Sequence, residues 1–384
     1  MWSNIASNAF TVFIAILVVI GGLVGWSQNA YRTAGPLSAP ICLQVPSGSN
    51  MSRVSEDLEA QGAIRHDFIF RMGADYEEKS QRLKAGSFLV PAESSMQEIV
   101  DIVTRGGQST CGTEINFRVG IARAEIEVRE LDPVTLEFVE IASFDPGEGT
   151  PPVEYAEARA QDDARYRVTL AEGVTSFQVV EELKLADFLS GDVPDLPDEG
   201  SLAPDSYEVR VGEERTELLA EMQGRQQAIL AGAWAGRADG LPLADATEAL
   251  ILASIIEKET AVAEERRTIS AVFTNRLRAG MRLQTDPTVI YGVTRGRGVL
   301  GRGLRQSELR SATPWNTYVI EGLPPTPIAN PGRASIEAAL NPDQSEYLFF
   351  VADGTGGHAF ATTLAEHNRN VAVWRAIEAE RNDN

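Results

Sequence analysis

The sequence predicts an α+β protein held at a membrane by an N-terminal helix, and three observations carry that expectation. Residues 9–26, AFTVFIAILVVIGGLVGW, run without a charge, about the shortest stretch that spans a bilayer as a helix. Beyond residue 40, segments of helical period alternate with short runs of strand period. Residues 249–256 are apolar on nearly every side except at Ser254, which marks a helix packed on more than one face. The expected order is a transmembrane helix, a small α+β module, a β insertion, and a mixed α/β domain organised around that buried helix.

Taken in order, residues 1–8 precede the apolar segment, and Trp2 and Trp26 stand where an interfacial aromatic belt would place them. A cleaved signal peptide is the competing reading, but there is no basic region ahead of the segment. The small-residue sites at Ala30, Ala34 and Ala39 are a weak cleavage signal. The first eight residues carry no Lys or Arg, so charge leaves the orientation open. A length of 384 residues suggests two or three domains. The net charge of −21 argues against a nucleic-acid partner, which would need a basic face, and against polybasic attachment to a membrane.

Cys42 and Cys111 bracket the first module, residues 40–110. In an oxidising compartment they would close a loop of about 70 residues, worth about 3 to 4 kcal/mol; two reduced buried cysteines are the alternative. Between them the pattern reads strand (43–45), helix with Val54 and Leu58, helix from Phe68, strand (84–90), and an amphipathic helix (96–103) ended by Gly106 and Gly107. Residues 112–165 read as the insertion: alternation over 115–131 and again over 135–141 suggests antiparallel strands, and 145–154 is a Gly-, Pro- and Glu-rich loop. The half-pattern of 43–58 recurs over 168–183, a weak two-copy similarity that opens the last domain, 166–384.

Within that domain a long helix covers 214–235, and Asp245 caps the buried helix with Glu248 completing a capping box. A second helix over 264–279 is closed by Gly280. Residues 281–284 alternate like a short strand, and Asp286 before Pro287 reads as the N-cap of a short helix ended by Gly292. Residues 295–310 are rich in Gly and Arg, either an exposed basic loop or a contact for anionic groups. A proline-rich loop (323–331), a short helix (335–340), a hairpin (347–352 with 358–361) and a closing helix (363–378) complete the chain.

The buried run ends in Glu257. Burial disfavours a carboxylate and raises its pKa, as a general acid requires. Glu259 lies about 200° further round the helix, so the two carboxyls should not share a cavity, and the apolar lead-in favours Glu257. The alternative is that both are helix-end residues paired with Lys258, Arg266 or Arg267. Gln284, Thr285, Asp286 and Tyr291 form a polar corner able to face Glu257, and Asn316 and Tyr318 add amide and phenol groups suited to sugar hydroxyls. His358, after a glycine-rich turn, is a further candidate for substrate contact. No His-Glu-x-x-His run and no Gly-x-Ser-x-Gly elbow is present, which argues against a zinc enzyme and a serine hydrolase.

The segments IIEKETAVAEER, NRLRAGMRLQTDPTVIYG, GLPPTPIANPGRASIEAALNP and YLFFVADGTGGHAFATTLAEHN resemble the endolytic murein transglycosylases of the YceG-like family, densely over 241–370. The residues at 314–318, PWNTY, are similar to the family's YNTY motif, with Trp315 replacing its first tyrosine. In LAPDSY (202–207) Leu202 and Ala203 replace aromatic residues common there. The resemblance implies a single-pass inner-membrane enzyme with its catalytic domain in the periplasm and its acid, Glu257, on the buried helix. It further implies a LysM-like glycan-binding module at 40–110, no cofactor, peptidoglycan glycan strands as substrate, and peptidoglycan synthases as partners in ending strand growth. It implies cleavage between N-acetylmuramic acid and N-acetylglucosamine to a 1,6-anhydro end. A glycan hydrolase using Glu257 and Asp286, and a non-enzymatic glycan-binding scaffold, are the alternatives.

Overall fold

The computed structural model describes residues 2–105, 109–161 and 163–382. The expected helix stop at Gly106 and Gly107 lies partly outside them, Gly106 and Gly107 both being beyond the described residues. The chain divides into two compact units, the first made of Met1–Ile115, Glu127–Ser143 and Thr150–Arg165, the second of Asn116–Ile126, Phe144–Gly149 and Tyr166–Asn384.

The first unit begins with α1 (Trp2–Arg32), whose segment Phe10–Arg32 is long and apolar enough to cross a membrane and is not covered by protein. Its last turn is different: Tyr31 is buried in the core of the unit. The strands β1 (Ile41–Val45) and β2 (Gly86–Val90) pair antiparallel, Ile41 opposite Val90 and Val45 opposite Gly86. Between them lie α2 (Met51–Ala60), capped by the Asn50 side chain, and α3 (Asp67–Tyr76). After them α4 (Met96–Thr104) starts on a capping box of Ser95 and Glu98, satisfying two otherwise orphaned donors. Leu43, Val54, Leu58, Phe70, Val90 and Ile99 fill the core, each drawn from the inward position of its strand or helix. Cys42 and Cys111 form a disulfide.

A five-stranded sheet has the order β5-β4-β3-β6-β7, with β3 (Thr113–Val119), β4 (Ala124–Leu131), β5 (Phe138–Phe144), β6 (Arg165–Leu170) and β7 (Ser206–Val209). Helix α5 (Val153–Arg159) precedes β6, and α6 (Ser176–Leu183) follows it. The expected strands of the insertion are thus present, but they continue the sheet that holds β6 and β7 and are not a set apart. Burial along β3 and β4 is nearly continuous, as for strands covered on both faces, so the alternation read from the sequence did not separate inside from outside. The final strand begins at Phe138, three residues beyond the expected start.

The second unit is built on α8 (Ala246–Glu259), preceded by α7 (Arg215–Ala235). Ala249 and every residue from Ile251 to Ile256 are buried. Ser254, the one polar residue of that run, donates to the Ile251 carbonyl and accepts the Ile328 N–H at 3.0 Å, so no buried polar group is left open there. The Asp245 cap accepts the Glu248 N–H at 2.9 Å, but Glu248 bonds the N–H of Ala244 and not that of Asp245, so the capping box is offset by one residue. Helix α9 (Arg266–Arg278) ends at Gly280, whose φ of 66° uses the left-handed region.

Residues 281–285 are not a strand. Gln284 has a φ of 51°, which breaks the two-residue alternation, and buried Arg276 donates to the carbonyls of Arg282 and Leu283, removing them from any ladder. Thr285, not Asp286, is the N-cap residue of α10 (Asp286–Thr294), Asp286 being its first helical residue. The helix continues past Gly292 and ends at Arg295, which takes the left-handed conformation. Then come α11 (Gln306–Leu309), α12 (Arg333–Leu340), the antiparallel hairpin of β8 (Phe349–Ala352) and β9 (His358–Ala361), and α13 (Leu364–Asn382).

Candidate active site

The last turn of α8 sends three consecutive side chains in three directions. Glu257 accepts the Gly332 N–H at 2.9 Å, and Gly332 is the N-cap of α12. The carboxylate there takes one of the N–H groups that a helix start leaves without an internal partner. Its charge also reaches Glu172, which pairs with Arg266 at 3.5 Å. Glu257 thus joins α8 to α12.

Glu259 has the surroundings that the sequence suggested for Glu257. Burial raises its pKa above the ordinary carboxyl value, and the nearby charge of Asp286 adds to the effect; the Thr285 hydroxyl, His358 and Arg276 act in the opposite sense. The Thr285 hydroxyl donates to Glu259 at 2.5 Å, and the Thr285 N–H is tied to the Thr317 hydroxyl at 3.0 Å. Asp286 is exposed and accepts the Tyr318 hydroxyl at 2.7 Å. Burial pushes the Tyr318 phenol up, with Asp286 and Glu259 contributing. His358 is fixed through Nδ1 to Glu265 at 2.7 Å, and its N–H bonds the same carboxylate. With Nδ1 so engaged, Nε2 is the ring atom left for other contacts.

Of the residues named from sequence, Asp286, Tyr318 and His358 therefore gather about Glu259, and Gln284 is exposed beside Thr285. Tyr291 lies elsewhere: its hydroxyl donates to Glu199 at 3.1 Å and its ring packs on Trp315. Asn316 is fully buried, and its amide donates to the carbonyls of Glu308, Leu309 and Ser311. Its oxygen accepts the Tyr318 N–H. With both ends engaged, Asn316 holds the loop. Sequence reasoning preferred Glu257, whereas burial raises the pKa of Glu259. Since 249–256 is apolar all round, periodicity could not tell which of two carboxyls faces the cleft; the polar corner two residues from the helix end was the usable signal.

The YceG-like family model matches residues 43–132 and 147–373. The chain belongs to the YceG-like family. It is 28% identical over 379 residues to an endolytic murein transglycosylase of Streptococcus pneumoniae, covering 95% of this chain and 64% of that one; this chain thus spans just under two thirds of that relative's length. A protein of the same name from Bacillus subtilis is 44% identical over 120 residues, 31% of this chain and 32% of that one. A crystal structure of a YceG-like protein from Listeria monocytogenes aligns with 24% identity and a TM-score of 0.46, over 86% of this chain and 98% of that chain. The matched range takes in β3 and β4, and the gap at 133–146 falls on β5 and the turn before it.

Proposed function

We propose that this YceG-like chain is an endolytic lytic transglycosylase of peptidoglycan. It cuts the β-1,4 bond between N-acetylmuramic acid and N-acetylglucosamine within a strand and leaves a 1,6-anhydromuramic end. The observation that carries the reading is Glu259, a carboxyl whose pKa is raised by burial and which sits beside a polar corner of Thr285, Asp286 and Tyr318. The names of the relatives support the substrate class.

In this mechanism protonated Glu259 gives its proton to the oxygen leaving C1. The C1–O bond breaks with its electron pair on that oxygen, and positive charge develops at C1. The Glu259 carboxylate then takes the proton of the sugar's own C6 hydroxyl as that oxygen bonds to C1. The acid is regenerated and no water is consumed. Asp286 supplies negative charge on the same side, and Tyr318 fixes its position. Because Asp286 is close enough to influence Glu259, a hydrolase with Asp286 activating water is the second reading.

The wider proposal follows the resemblance. Helix α1 anchors the protein as a single inner-membrane pass with the remainder in the periplasm. Residues 40–110 act as a LysM-like module that holds glycan, and 166–384 form the catalytic region. Cutting near the membrane would end the growth of nascent strands beside their synthases. The test is mass spectrometry of purified glycan strands digested by the full chain. Ends lighter by one water support the transglycosylase, ordinary reducing ends the hydrolase, and intact strands a non-enzymatic glycan-binding scaffold.

A further inference from the structure

Beside the reacting corner lies a cavity of about 330 Å³, walled by Lys258 of α8, Pro287 and Ile290 of α10, Gln178 of α6, and Val299 and Leu300 of the following loop. Two of its three helical walls, α8 and α10, are the helices that carry Glu259 and Asp286. Lys258 immediately precedes Glu259 on α8, and Pro287 immediately follows Asp286 on α10. The loop that closes it needs glycine: Gly296, Gly298 and Gly301 have φ of 71°, 151° and 67°, and a Cβ at Gly296 would lie 3.1 Å from the Tyr291 ring. The Thr175 hydroxyl tethers this loop by donating to the Gly296 carbonyl at 2.5 Å.

The cavity is mostly apolar with one cation in its wall. Lys258 donates to the Gly173 carbonyl at 3.1 Å, one of the three donors an ammonium carries, and burial pushes its pKa down despite the charges of Glu257 and Glu199. Burial in turn raises the pKa of Glu199. Of the arginines in the loop that follows α10, Arg302 reaches the cavity wall. In a chain of net charge −21, residues 295–310 hold five arginines and one acid, Glu308. Glu308 is taken by Arg302, while Arg295 and Arg297 lie over the rings of Trp315 and Phe177 at 4.1 and 5.4 Å.

An apolar pocket with a desolvated ammonium in its wall suits a ligand of small apolar side chains that carries a carboxylate. The geometry points to the acidic peptide stem of the muramic sugar as its occupant, with Lys258 the carboxylate contact. This rests on the function proposed above, because the stem is attached to the sugar whose C1 bond is cut and must leave the acid by an adjoining path. The site makes the enzyme sensitive to the presence of the stem without taking part in bond cleavage.

The test uses the full chain and a synthetic stem tripeptide, L-alanyl-γ-D-glutamyl-diaminopimelate, titrated by calorimetry, with the fully amidated peptide as control. Lys258→Met retains the length of the side chain, and Leu300→Trp fills the cavity from the loop. The parent is expected to bind the acid peptide and not the amidated one, with each variant at least tenfold weaker. In parallel, KM on peptide-bearing strands rises in both variants while kcat and KM on peptide-stripped strands do not move. No binding by the parent, or equal binding by parent and both variants, overturns the inference. Peptide binding lost in the variants while no protein cuts strands would support the pocket and refute the enzyme. Strand cutting without peptide binding would do the reverse.

Discussion

Replacing Glu259 by glutamine should slow the reaction and stabilise the protein, with the second effect depending on pH in one direction. The glutamine keeps an oxygen for the Thr285 hydroxyl but cannot ionise. In the parent, burial and Asp286 raise the folded pKa of Glu259 above its ordinary value of 4.5. The buried acid costs nothing at a pH below that ordinary value, where it is neutral folded or unfolded. As pH rises through the interval to the folded pKa, the unfolded chain ionises first, and stability is lost at about 1.4 kcal/mol per pH unit of that interval. Above the folded pKa the loss is constant. In a unit of this size each kcal/mol is worth roughly 2–4 °C in Tm. Melting curves of parent and Glu259→Gln from about pH 4 to pH 9 should coincide at the acid end and separate as pH rises above the ordinary carboxyl value, with the glutamine the more stable. A constant offset across that range, or a glutamine variant less stable at neutral pH, would refute the assignment of Glu259 as the group strained by burial.

Serine at both Cys42 and Cys111 opens a loop with a sequence separation of 69, and should cost about 4 kcal/mol by the chain-entropy relation. Reductant should destabilise the parent similarly and leave the double variant unchanged in a melting assay. Asn316→Ala leaves three carbonyl acceptors without their donor. It should lower stability by about 1–3 kcal/mol without changing KM in the folded enzyme, which a substrate-contact role would not allow. Gly73→Ala would place a Cβ 2.1 Å from the Tyr31 ring. At about 1–3 kcal/mol for such overpacking, hydrogen exchange in α3 should speed up while exchange in α8 stays as it was.

Much of this fold was legible because its local signals are strong and agree with one another. Asp245 and Gly280 mark helix ends with a group that answers an unsatisfied N–H donor or supplies a positive φ. What was not legible depended on distant partners. The 281–284 segment alternates in sequence, but Arg276 and Gln284 commit its backbone elsewhere, and no local propensity encodes that. The strands at 113–144 looked like an addition because their neighbours in the sheet, β6 and β7, come later in the chain. Sequence reasoning pointed to the end of α8 and to the corner at 284–286, and the structure brings Glu259, Thr285, Asp286 and Tyr318 together there. Telling apart the surroundings of two carboxyls two residues apart required knowing where α12 begins, since its N-terminus is what engages Glu257.

The most direct measurement compares the rate at which new chain ends form with the parent, Glu257→Gln and Glu259→Gln, on the same strands at the same pH. The account predicts a loss of at least about 100-fold for Glu259→Gln, as expected for removal of a general acid. It predicts less than about tenfold for Glu257→Gln, whose amide oxygen still accepts the Gly332 N–H, a neutral bond in place of a charged one. The reverse order, with Glu257→Gln inactive and Glu259→Gln active, would contradict the central claim.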